Sequence, residues 1–494
     1  MSLQIFLQGK LLGIGDFLLT PGHDEAAEPA AVGEAAFPGR SQWVTLLGEI
    51  LPRALLAELG LSKILLGSSG GGQFLVVIPE ESRPQAEEFL QAARTGIEQV
   101  GGGTLRLVWA ATENLGAWSD VRKRLSDAMA GQRNAPATGI DSGFFQPFNP
   151  VPPSVRAPEG FFEELHKGLR SAETVGWSPD DPVRIQLGDG KHTWTLGSSP
   201  ESIPLARHAA PADGEEARRP ASLRELARRS SRPHAWGVLR GDVDNFGPRI
   251  RQAQTIEEHV LLSVLYKQFF AGELDVLCSL PEFWRKVTVL YSGGDDFAVY
   301  GSWDALILLA RELQRLFHRF AEENLKEFAG LEGKTVSMAL ALAPSPGASL
   351  ASVFEEAGRN LEYAKSVAKD SFYLFGRPLE WKHLGDAIEM KDIMARMVKQ
   401  YRCPVQFLHE LGSFYRRGER EAWEAKGRAK GNRFERPWRF ARRLNRILGP
   451  TRDRELQRLR GSLMNEFVGR NAAHVKLRPA GRVALEWAVR TTEA

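Results

Sequence analysis

Tyr291-Ser292-Gly293-Gly294-Asp295-Asp296-Phe297 follows the apolar run from Lys286 to Tyr291 and sets two carboxylates on a Gly-Gly turn. Upstream, Arg240-Gly241-Asp242-Val243-Asp244-Asn245-Phe246-Gly247 again carries two carboxylates straight after an apolar run. If Val238–Asp242 and Val287–Tyr291 form adjacent strands, their acidic ends meet. Such a cluster suits two-metal phosphoryl or nucleotidyl transfer. One divalent cation lowers the pKa of an attacking hydroxyl, the other neutralises a leaving pyrophosphate, and the glycines let a phosphate chain approach the backbone.

The same turn occurs earlier without its acids. Ser69-Gly70-Gly71-Gly72-Gln73-Phe74 follows Ile64-Leu65-Leu66, and aligned on Ser-Gly-Gly-x-x-Phe it sets Gly72 and Gln73 where Asp295 and Asp296 stand. Upstream of it, Gly9-Lys10-Leu11-Leu12-Gly13 matches the Asp242 segment, with Lys10 in place of Asp242. Downstream of the turns the correspondence continues, through a helical stretch (Gln85–Val100 against Trp303–Phe328) and then a strand (Thr104–Ala111 against Thr335–Ala343). One α/β unit is present twice, and only the second copy has the acids to hold metal.

At 494 residues the chain can bury several cores, three or four domains by length. Its two cysteines, Cys278 and Cys403, stand far apart and supply neither a disulfide framework nor a Cys₄ zinc site, which argues for a cytoplasmic protein without zinc. No apolar run reaches the ~20 residues that span a bilayer, so no membrane partner is expected. Met1-Ser2-Leu3-Gln4-Ile5 reads as a first strand rather than a signal peptide. The net charge of +3 is unevenly spread, because Arg416 to Arg460 holds 16 Lys/Arg against 6 Asp/Glu, interleaved with Trp423, Phe434, Trp438 and Phe440. That stretch reads equally as a solvated helical face and as a surface contacting RNA or another subunit.

Pro21 to Pro38 reads as a mobile insertion, Phe145 to Pro158 as a proline-rich boundary and Ala209–Ser231 as a flexible polar segment. The second unit reads strand (Ala235–Asp242), helices (Pro248–Phe270), strand (Lys286–Tyr291), turn, strand (Phe297–Tyr300), helix, strand (Thr335–Ala343), helix (Leu350–Lys369), strand (Ser371–Phe375). Two strands around a tight turn with helical crossovers on either side make a ferredoxin-like split βαβ, the arrangement of polymerase palms and nucleotide cyclases. The expected fold is α+β. Two such palms occupy 1–147 and 233–378, a linker domain 148–232, and an all-helical C-terminal domain 379–494.

Asp242 to Gly247, Tyr291 to Asp296 and the closing Leu361-Glu362-Tyr363-Ala364-Lys365-Ser366-Val367-Ala368-Lys369-Asp370-Ser371 together resemble the large catalytic subunit of type III CRISPR–Cas effector complexes. That family is the CRISPR polymerase, Cas family-ten, and the chain resembles its Csm-type branch more than its Cmr-type branch. Gly13-Ile14-Gly15-Asp16-Phe17 and Gly39-Arg40-Ser41 resemble that family's first-palm signatures. The resemblance implies synthesis of 3′–5′ linked cyclic oligoadenylate messengers from ATP when target RNA binds. It also implies two divalent cations, Mg or Mn, and as partners a small subunit, a crRNA-end-binding subunit, crRNA and target RNA. On this reading Asp242, Asp295 and Asp296 are catalytic. Asp242 and Asp295 bridge the metals, with Asp296 or Asp244 as auxiliary ligands and the Val243 carbonyl as an additional oxygen. Nucleotide contacts fall to Asn245, Phe246 and Gly247, to Ser292, Gly293 and Gly294, to Lys365 and Lys369, and in the first palm to Gly70 and Gly71. Asp244 reads equally as a ligand and as a helix N-cap or turn residue.

Two family features find no counterpart. An HD nuclease domain is represented only by the dipeptide His23-Asp24, too little for a dinuclear site, and the cysteines cannot form a zinc ribbon, so HD-type DNA cleavage is not expected. Two readings from other classes stay open. A diguanylate-cyclase-like enzyme shares the palm, and a non-catalytic scaffold would only anchor RNA and subunits.

Overall fold

A computed structural model describes residues 3–19, 30–134, 160–197, 202–214, 219–345, 347–413, 437–468 and 479–492. His23-Asp24, the whole span Phe145 to Pro158 and residues 416–436 of the basic stretch lie outside the described residues.

The first unit comprises β1 (Gln4–Leu12), α1 (Ile14–Leu19), α2 (Ala30–Glu58), β2 (Leu66–Gly70), β3 (Gln73–Pro79), α3 (Arg83–Val100), β4 (Arg106–Glu113) and α4 (Trp118–Asn134), with its strands ordered β2-β3-β1-β4. Next come α5 (Phe161–Leu169), a three-stranded sheet of β5 (Thr174–Ser178), β6 (Asp181–Leu187) and β7 (His192–Thr195), and α6 (Leu223–Arg228). The second unit runs β8 (Trp236–Val243), α7 (Phe246–Gln252), α8 (Ile256–Gln268), α9 (Leu274–Cys278), β9 (Val287–Ser292), β10 (Asp296–Ser302), α10 (Trp303–Asn324), β11 (Val336–Leu342), α11 (Leu350–Val367), β12 (Ser371–Leu374) and β13 (Arg377–Glu380). Its sheet is ordered β13-β12-β11-β8-β10-β9.

Without β12 and β13 the two large sheets have the same order and the same antiparallel pairings. Their registers coincide too. Lys10 lies opposite Gln73 as Asp242 lies opposite Asp296. Beside each pair a glycine admits a ring, because a Cβ on Gly9 would collide with Phe74 and one on Gly241 with Phe297. One expectation fails in this order. β8 and β9 are not neighbours, for β10 lies between them, and the acids meet because Asp296 opens β10. The split βαβ sets the second strand of its hairpin beside its first strand.

Strand alternation gives the second sheet two buried faces. Trp236, Val238, Ala298 and Tyr300 share a core with the first unit, the middle sheet and α11. Leu239, Val243, Phe297 and Val299 share another with α10 and the C-terminal helices α12 (Leu384–Lys399), α13 (406–413), α14 (Pro437–Leu448), α15 (Arg454–Val468) and α16 (Pro479–Thr492). The helical tail therefore has no separate core, and the second palm extends past residue 378 through β13 to Glu380. Two loop expectations change as well. Ala30–Pro38 begins the long helix α2, which its alanines favour despite Pro38. Ala209–Ser231 buries Ala209, Ala210, Ala212 and Ala221 and contains α6, started by a Ser222/Glu225 capping box. Among the described residues no helix is long and apolar enough to cross a membrane.

His166 of α5 is buried, its Nδ1 3.1 Å from Gln42 Oε1 of α2. Burial, with Lys167 adding to it, lowers its pKa from 6.5 to about 4. Between those values the unfolded chain holds a proton that the native state refuses, so stability present above pH 6.5 is lost as pH falls. At pH 5 the loss is about 2 kcal/mol. His166→Gln should therefore flatten the decline in urea stability between pH 7 and 5 by roughly that amount, and an unchanged decline would rule the effect out.

Candidate active site between the two palms

At the end of β8, alternation sets Arg240 and Asp242 on the face covered by α11. Lys365 Nζ of α11 lies 2.8 Å from Asp242 Oδ2, and the Arg240 guanidinium stacks 4.2 Å over the Phe354 ring. The turn beyond β9 is fixed through its backbone. Gly293 N–H donates to Asp296 O at 2.7 Å and Val243 N–H to Asp295 O at 2.9 Å. A Cβ on Gly293 would collide with Asp296 Oδ1, so any larger residue there would displace that carboxylate. Tyr291 Oη donates to Asp296 Oδ2 at 3.0 Å, and Arg240 Nη2 donates in turn to Tyr291 Oη at 3.5 Å.

Burial pushes the carboxyls of Asp242, Asp295 and Asp296 up, and their mutual repulsion adds to it for Asp295 and Asp296, while Lys365 partly offsets the rise at Asp242. The cluster is thus short of positive charge. Among the described residues no three His, Cys, Asp or Glu side chains converge closely enough to hold a metal ion by themselves. Mg²⁺ asks for less, since it is usually held by one or two carboxylates plus water and substrate phosphate oxygens. The all-oxygen donor set and its missing positive charge fit such a cation at Asp242, Asp295 and Asp296.

The first palm closes the site. A cavity of about 880 Å³ is lined by Asp242, Asp295, Asp296 and Gly294 from one palm and by Lys10, Ser69, Gly70 and Gly71 from the other. Gly70, Gly71 and Gly72 all have positive φ, of 135°, 57° and 70°. A Cβ on Gly71 would stand 3.9 Å from Gly294 N, so the two turns nearly touch. A second cavity, of about 610 Å³, holds Ser292, Gly293, Arg240 and Phe354 and shares Gly71, Asp242 and Asp296 with the first.

Beside the core they share, two polar connections tie one palm to the other. Glu49 of α2, 2% exposed, accepts from Lys267 of α8 at 2.5 Å, from Arg53 at 2.8 Å and from Ser69 at 3.0 Å, while Lys267 Nζ also donates to Ser69 Oγ at 2.9 Å. Burial raises the Glu49 carboxyl, but Lys267 and Arg53 outweigh it and hold the group below its usual range. Arg122 of α4 donates to the carbonyls of Ile250, Arg251 and Ala253 at the end of α7. This supplies donors to carbonyls at and just past the helix end, where Ile250 O also accepts from Ala253 N–H at 3.3 Å.

Of the residues singled out from the sequence, the 880 Å³ cavity gathers Asp242, Asp295, Asp296, Gly294, Phe246, Gly247, Gly70 and Gly71. Val243 is buried in the core, and Lys369 bonds to Asn245 Oδ1. For Asp244 the ligand option gives way to the turn option. It is 1% exposed, and its oxygens accept from Thr335 and Ser337 hydroxyls at 2.8 and 2.9 Å and from Asp370 N–H at 2.9 Å. It ties β8 to β11 and β12 rather than capping α7, whose cap is Asn245 at φ 58°. Sequence reading missed Arg240, Glu49, Lys267 and Arg122 as site residues. Glu49 and Lys267 lie 218 positions apart and carry no local signal.

The fold is that of known proteins. The crystal structure of a Csm1–Csm4 cassette in complex with cA4 superposes with a TM-score of 0.71 at 18% identity, covering 99% of this chain and 70% of that one. A Csm1–Csm4 cassette in complex with AMPPNP gives 0.67 at 18%, with the same coverage of 99% and 70%. In sequence, the CRISPR system single-strand-specific deoxyribonuclease Cas10/Csm1 (subtype III-A) of Mycobacterium tuberculosis is 30% identical over 126 residues, which is 22% of this chain and 16% of that protein. The alignment thus spans under a fifth of that relative's length. Residues 235–373, from the start of the second palm into β12, match the family model described as Cas10/Cmr2, second palm domain.

Proposed function

We propose that the chain joins ATP molecules into cyclic oligoadenylates, activated by target RNA within a type III CRISPR effector complex. The observation that carries this reading is one cavity in which the Asp242, Asp295 and Asp296 carboxylates of one palm face the glycine turn of the other. Two nucleotides fit that arrangement, the donor on the acids and the acceptor at Gly70 and Gly71. The acceptor 3′-oxygen forms a bond to the donor α-phosphorus, the bond from that phosphorus to the pyrophosphate oxygen breaks, and the hydroxyl proton passes to solvent. Two divalent cations, Mg or Mn, held by Asp242, Asp295 and Asp296 would acidify the hydroxyl and neutralise the pyrophosphate.

The protein's own share is orientation. Tyr291, itself held by Arg240, orients Asp296, and the backbone bond from Val243 N–H to Asp295 O sets the turn beside Asp242. Lys365, now on Asp242, is the ammonium that reaches the β- or γ-phosphate. N–H groups at Asn245 to Gly247 and at Gly294 take phosphate oxygens, while Gly293, its N–H bonded to Asp296 O, lets the phosphate chain approach the turn closely. The AMPPNP-bound cassette of the same fold supports a nucleoside triphosphate as ligand. The partners of this reading are a small subunit, a crRNA-end-binding subunit and the two RNAs, in the cytoplasm.

Mass spectrometry of products from the assembled complex with ATP, Mg²⁺ and target RNA tests the assignment. Oligoadenylates are expected, and a complex that binds RNA yet leaves ATP intact would refute it. Gly71→Val probes the first palm. At φ 57° a β-branched residue strains the turn, so the ATP concentration for half-maximal rate should rise and turnover fall by about tenfold, with Mn²⁺ binding retained. Normal kinetics in that variant would remove the acceptor from this palm.

A further inference from the structure

The two palms differ by a charge inversion at one structurally equivalent position. Asp242 pairs with Asp296 in one sheet, and Lys10 pairs with Gln73 in the other at the same register. Both pairs line the same 880 Å³ cavity. Where the second palm offers carboxylates, the first offers an ammonium.

Lys10 is not alone. Lys123 of α4 and Arg251 of α7 line the same cavity. Among the described residues, none of these three side chains makes an ion pair or hydrogen bond with another residue, whereas Arg122 between them is spent on three backbone carbonyls. One carboxylate outside the acidic cluster, Asp127, also lines the cavity, and it forms no ion pair with a described residue. Three uncommitted cations thus share a cavity with a carboxylate cluster that is short of positive charge. A cation wall of this kind attracts a polyanion and disfavours a divalent cation on its own side of the cavity.

We propose that Lys10, with Lys123 and Arg251, forms a metal-independent seat for the triphosphate of the acceptor nucleotide, an inference that rests on the two-nucleotide reading above. The donor's phosphates are neutralised by metal and the acceptor's by side chains. The inversion gives the site a direction. The nucleotide on the acids presents its α-phosphate, and the one on the lysine presents its 3′-hydroxyl.

The test counts binding sites on the full chain with AMPPNP by calorimetry, once in Mg²⁺ and once in EDTA. Two sites are expected in Mg²⁺ and one in EDTA, the EDTA-resistant one weakening with added salt. Lys10→Met should weaken that site about 10- to 100-fold, as loss of a charged hydrogen-bond donor does, and Lys10→Arg should restore it. Lys123→Ala with Arg251→Ala, both at exposed positions, should weaken it without touching the strand. Asp295→Ala with Asp296→Ala should leave it intact. Two sites in Mg²⁺ and none in EDTA, or an EDTA-resistant site indifferent to both Lys10→Met and the Lys123/Arg251 pair, would overturn this inference alone. A single site in Mg²⁺ would overturn the two-nucleotide reading beneath it.

Discussion

Asp295→Ala combined with Asp296→Ala should lower nucleotide product by roughly 10³-fold or more while the complex still assembles and binds RNA. The two carboxylates are pushed up by burial and by each other, so in the absence of metal they oppose folding rather than support it. Removing them should leave thermal unfolding unchanged or slightly later. Tyr291 Oη loses its acceptor, which limits the gain. Product at the unmutated rate, measured by mass spectrometry, would eliminate the acids from the chemistry. A collapse in melting temperature would show them to be structural instead.

Lys267→Met should produce the largest loss of stability. It removes one partner of a buried ion pair and leaves Glu49, 2% exposed, with Arg53 and Ser69 alone. Such losses run at about 3–5 kcal/mol, and the retained Arg53 argues for the lower end. Adding Glu49→Gln removes the stranded charge and should return at least half of the loss. Urea unfolding of the single and double variants measures the coupling. Additive losses in that cycle would mean that the pair does not connect the palms energetically.

Much of this architecture is written in local pattern. The strands of the second palm announce themselves because apolar runs end at Asp242 and at the Gly293-Gly294 turn, and the degenerate copy because Ser-Gly-Gly recurs with Phe at the same offset. The equivalence of Lys10 and Asp242 follows from that alignment and reappears as strand register. What the pattern does not carry is spatial order. Nothing local distinguishes β9 from β10 as the neighbour of β8, because both are apolar and both border the turn. Asp244 shows the same limit. Its spacing from Asp242 suits a ligand, and only the approach of Thr335, Ser337 and Asp370 from two other strands turns its carboxylate into a structural acceptor. The C-terminal helices were legible as amphipathic, yet not that their apolar faces complete the core beneath the second sheet.

The glycine turns that nearly meet at Gly71 and Gly294 belong to a single polypeptide. Enzymes that build one site from two identical palms must first find a second molecule, and their rate then follows the square of protein concentration when dilute. Here both halves are tethered, so their encounter is unimolecular and its entropy is met once, at folding. Such a site can be governed by small changes in the angle between its halves, without any change in how many molecules are present.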